Sequence, residues 1–195
     1  MGEAAKKLDE HWTYRNYKTW PDDERWELID GVAYDMSPAP NRRHQGILAR
    51  LARQVLNFLD GKPCVAYFAP FDVLLPSFPG QDEDDIDTVV EPDLVVYCDR
   101  AKLTYAGATG APDLAVEILS PRTTKKDISI KFARYERAGV KEYWIIDPGN
   151  RCVHQYCLDE SGRYGEESLV LDADILASKV LEGFSMKSAE LFAES

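Results

Sequence analysis

The chain has 195 residues, 45% of them hydrophobic, and a formal net charge of -11 at pH 7, which is the composition of a globular protein. Such an acidic chain lacks the overall basic surface of most nucleic-acid-binding proteins. No apolar run approaches the roughly 20 residues that a membrane-spanning helix needs, and residues 1–10 lack the apolar segment of a secretory signal. We therefore expect a cytoplasmic protein with no membrane partner.

The domain organisation predicted from the sequence is simple. One domain over 1–195 suits this length, and we see no repeat, low-complexity tract or linker that would divide it. We expect the core over about 20–150, an N-terminal extension over 1–18, and C-terminal strands and a tail over 151–195.

The first predicted elements are a β-hairpin and a long helix. The stretch RWELIDGVAYDM at 25–36 has an Asp-Gly turn between strand-like residues, which is a hairpin signal. A helix follows from about Asn41 and is closed by Gly61. Its apolar residues recur at helical spacing: Ile47, Leu48, Leu51, Val55, Phe58 and Leu59.

Strands dominate the centre of the chain. CVAYFAP and FDVLLP are typical of strands and come before an acidic loop at 81–87. TVVEPDLVVYC at 88–98 and DLAVEILS at 113–120 are mostly apolar, as strands in the middle of a sheet are. EYWIIDP and RCVHQYCL predict two further strands, joined by a Pro-Gly-Asn turn.

A second helix is predicted over 124–138, with Ile128, Phe132 and Tyr135 on one side and Gly139 at its end. The alternation of helices and strands predicts an α/β (α+β) fold, in which helices flank a mixed central β-sheet and a β-hairpin precedes it.

The four cysteines are Cys64, Cys98, Cys152 and Cys157, and none forms a C-x-x-C pair. This spacing favours reduced thiols over disulfides or a zinc knuckle. Cys152 and His154 would share one face of a strand and could ligate a metal, but simple packing of two strand side chains is the favoured interpretation.

Charge is distributed unevenly along the chain. The segment 41–53 has four arginines, among them Arg42 and Arg43, and no acid, and 122–141 has seven basic residues against two acids. If these segments face each other across a cleft, the net charge no longer decides what the protein binds.

Glu117 is the first candidate site residue, because it lies inside the apolar strand DLAVEILS. A buried, unpaired carboxylate costs several kcal/mol, so a lysine, a hydrogen-bond network or a metal ion must compensate it. Asp113 lies about 13 Å away along the same strand and is too distant to share a magnesium ion. Asp93 begins a different strand, and neighbouring strands are about 4.8 Å apart. We therefore predict Asp93 and Glu117 as metal ligands; the alternative is that Asp93 caps a strand and Glu117 pairs with an arginine.

A lysine would complete such a site by orienting water or neutralising charge on a phosphoryl group. Leu119 occupies the position of an E-x-K lysine. The rises of strand and helix bring Lys131 to the depth of Glu117, whereas Lys125 and Lys126 stay near the helix start, where they could contact phosphates. The alternative for Lys131 is a surface salt bridge with Asp127.

These residues resemble the PD-(D/E)XK restriction-endonuclease-like superfamily and, more narrowly, the Uma-two-type restriction endonucleases, the former domain of unknown function 820. The matching stretches are WELIDGVAYDMSPAPNRRHQ at 26–45, EPDLVVY at 91–97, PDLAVEILSPRTTKKD at 112–127, KFARYERAGVKEYWIIDP at 131–148 and the tail LEGFSMKSAELF.

The resemblance implies an endonuclease that cleaves DNA with Mg2+ or Mn2+ held at Asp93 and Glu117 and with the helix-borne Lys131. It also draws attention to Glu27 and His44, of which His44 would line the cleft or hold a substrate phosphate; Asp127 is a further candidate for a cleft-lining or accessory residue. Arg42, Arg43, Lys125 and Lys126 are the expected phosphate contacts, and cutting of both strands would favour a homodimer.

Two alternatives to a nuclease remain open. The displaced lysine and the acidic charge fit a catalytically inactive module of the same fold that binds nucleic acid or a protein. A carboxylate-pair glycosidase is also conceivable, but no aromatic-rich sugar platform surrounds the two acids.

Overall fold

The computed structural model describes residues 11–21, 23–36, 41–120 and 127–193, with only the backbone described at 127 and 128. The helices are α1 (Tyr14–Tyr17), α2 (Arg42–Leu59) and α3 (Phe132–Ala138). The strands are β1 (Trp26–Ile29), β2 (Val32–Asp35), β3 (Val65–Phe68), β4 (Asp72–Leu74), β5 (Val89–Val90), β6 (Leu94–Tyr97), β7 (Gly107–Thr109), β8 (Leu114–Ile118), β9 (Glu142–Asp147), β10 (Cys152–Cys157), β11 (Ser168–Leu171), β12 (Ile175–Ala177) and β13 (Ser185–Lys187).

Two mixed sheets carry most of these strands. The larger has the order β11-β10-β9-β8-β6-β3, and only its β8–β9 pair is parallel. The smaller has the order β2-β1-β5-β4-β7, with β4–β7 parallel. The mixed α+β architecture is confirmed, and the predicted hairpin is β1–β2, which lies in the smaller sheet.

The chain changes sheets at Glu91-Pro92-Asp93, so the prediction of one continuous strand over 88–98 is wrong. Val89–Val90 belongs to the smaller sheet and Leu94–Tyr97 to the larger. Pro92 lacks an N–H and has a fixed φ, so it interrupts a ladder of hydrogen bonds. The crossing segment also contacts β1, because the Glu91 N–H donates to Glu27 Oε1 at 3.0 Å.

Helix α2 begins where the sequence predicts. The Asn41 side chain accepts a hydrogen bond from the His44 N–H at 3.0 Å and so caps the helix. Its buried stripe packs in one apolar cluster with Leu94, Val116 and Trp144 of the larger sheet. Neither α2 nor another helix in the described ranges is both long and apolar enough to cross a membrane.

The helix predicted over 124–138 is shorter and less regular in the structure. A π-helical turn spans Asp127–Lys131, and α3 begins only at Phe132; residues 124–126 lie outside the described residues. Gly139 ends α3 with φ 84°, a left-handed conformation that suits glycine. Tyr135 packs with Tyr143 and Ile145 in a second apolar cluster, so α3 covers the face of the larger sheet opposite to α2.

Cys64 and Cys98 form a disulfide, so the expectation of four reduced thiols is wrong for these two residues. They lie next to the antiparallel pair Val65–Tyr97 and therefore face each other across β3 and β6. A separation of 34 residues in the sequence does not reveal this neighbourhood. Cys152 and Cys157 are free.

Candidate functional site

Glu117 lies in β8 and is only 5% exposed. Its Oε1 contacts Lys131 Nζ at 2.9 Å and accepts a hydrogen bond from the Tyr135 hydroxyl at 2.7 Å. A lysine and a phenol therefore contact the buried carboxylate, and the described contacts do not test the alternative of an arginine partner. Lys131 itself is 2% exposed, so it is no surface salt bridge; the Asp127 side chain lies outside the described residues.

Glu27 brings a second carboxylate to the same lysine from the other sheet. Lys131 Nζ is 2.7 Å from Glu27 Oε1, and Glu27 is 1% exposed. Two carboxylates thus share one ammonium group in a nearly dry environment. The carboxylate oxygens of such a cluster are donors of the kind that hard cations take as ligands.

Asp93 lies just before β6, beside the end of β8. Its Oδ2 accepts a hydrogen bond from the Ile118 N–H at 2.7 Å and contacts His44 Nε2 at 3.1 Å. The β6–β8 ladder pairs Leu94 with Val116, so this register, extended by one residue, sets Asp93 opposite Glu117. Strands in such a ladder lie about 4.8 Å apart, which is the spacing on which the predicted carboxylate pair depends.

Tyr135 is a site residue that the sequence prediction treated only as packing. Burial, and then the Glu117 carboxylate, raise the pKa of Tyr135 well above its usual value. The phenol therefore stays protonated and acts as a hydrogen-bond donor to Glu117. Its position four residues after Lys131 is the signal that could have revealed it, because such pairs share a helix face.

The predicted phosphate contacts are only partly described. Arg42 and Arg43 lie exposed in the first turn of α2, and Arg43 Nη2 donates to the Pro148 carbonyl. A cavity of about 240 Å³ lies next to them, lined among others by Arg43, His44 and Asp147. Lys125 and Lys126 fall outside the described residues, as does the side chain of Asp127. The roles of these residues stay predictions.

A family model with the description "Putative restriction endonuclease" matches residues 14–189. The chain belongs to this Uma2 family. The resemblance seen in the sequence is therefore confirmed, and the family is one of nucleases of restriction-endonuclease type.

A crystal structure supports the fold of this Uma2 chain. It is that of a putative nuclease belonging to DUF820 from Anabaena variabilis ATCC 29413, with a TM-score of 0.71 and 18% sequence identity. The match covers 91% of this chain and 94% of the other. No curated protein matches the chain significantly.

Proposed function

We propose that this Uma2 chain is an endonuclease that hydrolyses phosphodiester bonds of DNA with the help of Mg2+ or Mn2+. The observation that carries the proposal is the contact of Lys131 Nζ with Glu117 Oε1 at 2.9 Å, beside the Asp93 carboxylate on the adjoining strand. Two acids on neighbouring strands, with a lysine that contacts one of them, are groups that metal-assisted hydrolysis can use.

Asp93 and Glu117 are the residues that would hold the metal ion. Both offer carboxylate oxygens, the hard donors that Mg2+ and Mn2+ prefer, and in the described contacts Lys131 meets both Glu27 and Glu117. The donor set therefore fits such an ion. When bound, the ion would lower the pKa of a water molecule and neutralise charge on a phosphoryl oxygen.

The surrounding residues have positioning and electrostatic roles in this proposal. The Ile118 N–H and His44 hold the Asp93 carboxylate in place, and the Tyr135 hydroxyl does the same for Glu117. Lys131 supplies a fixed positive charge that stabilises negative charge as it develops on the phosphoryl group. Because these groups are buried and already oriented, little reorganisation is needed during the reaction.

The substrate and the assembly are further parts of the proposal. The exposed Arg42 and Arg43 stand beside the cavity at the start of α2, where they would contact the DNA backbone together with Lys125 and Lys126. Cleavage of both DNA strands would require two sites, which a symmetric homodimer provides.

Plasmid cleavage by the purified full chain tests the proposal. We expect nicking and linearisation in Mg2+ or Mn2+ and none in EDTA. Asp93→Asn, Glu117→Gln and Lys131→Met should each abolish cleavage while the circular dichroism spectrum stays unchanged. Asp113→Asn is the matched control, because Asp113 pairs with Lys141 and the Cys98 N–H instead. Full activity of the Asp93→Asn variant would refute the proposal.

A non-catalytic module of the same fold is the second candidate. Lys131 already contacts both Glu27 and Glu117, so the cluster is compensated in part without a metal ion. This candidate predicts DNA binding, measured by fluorescence anisotropy, with no hydrolysis in either metal. Metal-dependent cleavage that disappears in Glu117→Gln would exclude it.

A further inference from the structure

The β9–β10 hairpin brings three metal-ligating side chains together at its turn. Cys152 pairs with Asp147 across the ladder, and His154 lies two residues further along β10 on the same face. One ligand atom from each of these three residues lies within 4.8 Å of the others. The cluster uses none of Asp93, Glu117 or Lys131.

The distances within this cluster suit a transition-metal ion. Cys152 Sγ is 3.6 Å from His154 Nε2. A zinc ion with metal–sulfur bonds of about 2.3 Å and metal–nitrogen bonds of about 2.0–2.1 Å holds its tetrahedral ligand atoms roughly 3.5 Å apart. The thiol and the imidazole therefore already stand at the separation that a shared ion would set.

Outer hydrogen bonds orient the ligands, which is the second observation in favour of a site. His154 Nδ1 contacts Glu167 Oε1, so the ring directs Nε2 towards Cys152. Asp147 is held by the Gly149 N–H at 2.7 Å and by the Asn150 side chain at 2.8 Å. A carboxylate behind a histidine ligand is the usual outer partner in metal sites, and it fixes the tautomer that ligates.

We propose that Asp147, Cys152 and His154 form a second metal site that takes Zn2+ or a similar transition-metal ion. A thiolate and an imidazole select such ions over Mg2+, which prefers oxygen ligands alone. On binding, the Cys152 thiol loses its proton to solvent and forms the metal–sulfur bond. Three protein ligands leave a fourth position for water.

The proposed site lies on the same face of the larger sheet as Glu117. Glu117 on β8 pairs with Ile145 on β9, and Ile145 pairs with His154 on β10. Two strand spacings of about 4.8 Å each therefore separate Glu117 from His154. Asp147 also lines the cavity that His44 lines. The proposal nevertheless stands without the nuclease assignment, because it rests on a different ligand set.

Titration of the full chain with Co2+ tests this site directly. Thiolate ligation of Co2+ gives a charge-transfer absorption band, to which a site made only of carboxylates does not contribute. We expect the band to reach its plateau at one Co2+ per chain and to disappear when Zn2+ is added. Cys152→Ser should abolish it, and Glu167→Gln should weaken Co2+ binding about 10-fold or more.

Cys157→Ser is the matched control. Cys157 is the other free cysteine and lies on β10 five residues from Cys152, so its side chain points to the opposite face; the band should remain. A missing band in the wild type, or a band that persists in Cys152→Ser, would overturn the proposal. If Cys152→Ser fails to fold, His154→Gln and Asp147→Asn decide: a band unchanged in both overturns it.

Discussion

Two buried glutamates on adjacent strands of the larger sheet show how differently a carboxylate can be accommodated. Glu117 in β8 is compensated by an ammonium and a phenol. Glu142, which begins β9, is fully buried and accepts hydrogen bonds from neutral groups. The donors are Trp144 Nε1 at 2.8 Å, Ser178 Oγ at 2.6 Å, Lys179 N at 3.0 Å and Val180 N at 3.0 Å.

The contrast teaches that burial alone does not mark a functional acid. The donors of Glu142 are fixed parts of the backbone and of neighbouring side chains, so this carboxylate ties the segment 178–180 to β9. Glu117 shares its lysine with Glu27, and the register of β6 with β8 sets it opposite Asp93. We expect the first arrangement to contribute stability, and under the proposed function the second would hold the metal ion.

The largest expected effect is on catalysis. Glu117→Gln should reduce metal-dependent DNA cleavage by about 10³-fold or more, because it removes a metal-binding carboxylate and the partner of Lys131. Glu142→Gln should leave the cleavage rate per folded molecule unchanged. Single-turnover cleavage of a labelled duplex measures both. Equal losses in the two variants would show that the contrast between these acids is false.

The second prediction concerns the free energy of unfolding, for which Glu142 should matter more than Glu117. Glu142→Gln should lower the free energy of unfolding by about 3 kcal/mol, because an amide replaces a buried carboxylate that accepts several hydrogen bonds. Glu117→Gln should lower the free energy of unfolding by less, because it also removes one of the two carboxylates that compete for Lys131. Urea unfolding followed by tryptophan fluorescence gives both values. A larger loss in Glu117→Gln would contradict this assignment of roles.

Local sequence signals predict the elements that carry one half of the site. Asn41 and the apolar stripe behind it specify α2, and a carboxylate in an apolar strand identifies Glu117. Counting the rises of strand and helix selects Lys131. The segment that carries it is a π-helical turn rather than part of a regular α-helix, but the selection still holds, because the chain must fold back along the sheet with either geometry. These inferences depend on residues that are near in sequence or on adjacent strands.

The other half depends on tertiary packing that no local pattern reveals. Glu27 reaches Lys131 from the smaller sheet only because the chain crosses between sheets at Pro92. The disulfide between Cys64 and Cys98 depends on the register of β3 with β6. The sequence predicts Glu142 only as the first residue of a strand, because three of its four donors lie in the segment 178–180, more than thirty residues later.

A smaller effect is expected at His44, which contacts Asp93 rather than Glu117. His44→Ala should reduce cleavage by about 10–100-fold and raise the Mg2+ concentration needed for half-maximal rate, because the Asp93 carboxylate loses one of its two described contacts. His44→Gln should restore part of the activity, since its amide can still donate. Unchanged metal dependence in His44→Ala would mean that the histidine only fills space beside α2.

Asp72 is a partly buried acid, for which we expect the smallest effect. Burial, followed by repulsion from Glu91, raises its pKa from 3.8 to about 6, although a hydrogen bond from Tyr17 opposes the shift. The folded state therefore binds this proton more tightly than the unfolded chain. The contribution of the protonated Asp72 to the free energy of unfolding is fully present below about pH 4 and is lost as the pH rises through about 6.

Asp72→Asn mimics the protonated acid, so it should raise the free energy of unfolding by about 1–2 kcal/mol at pH 8 and change little at pH 4. Urea unfolding at both pH values measures the difference from wild type. Asp60→Asn, at the exposed end of α2, controls for the loss of one acidic residue. A gain of equal size at pH 4 and pH 8 would place the origin in packing rather than in ionisation. A gain confined to pH 8 would set Asp72 apart from both glutamates as an acid that the fold leaves insufficiently compensated.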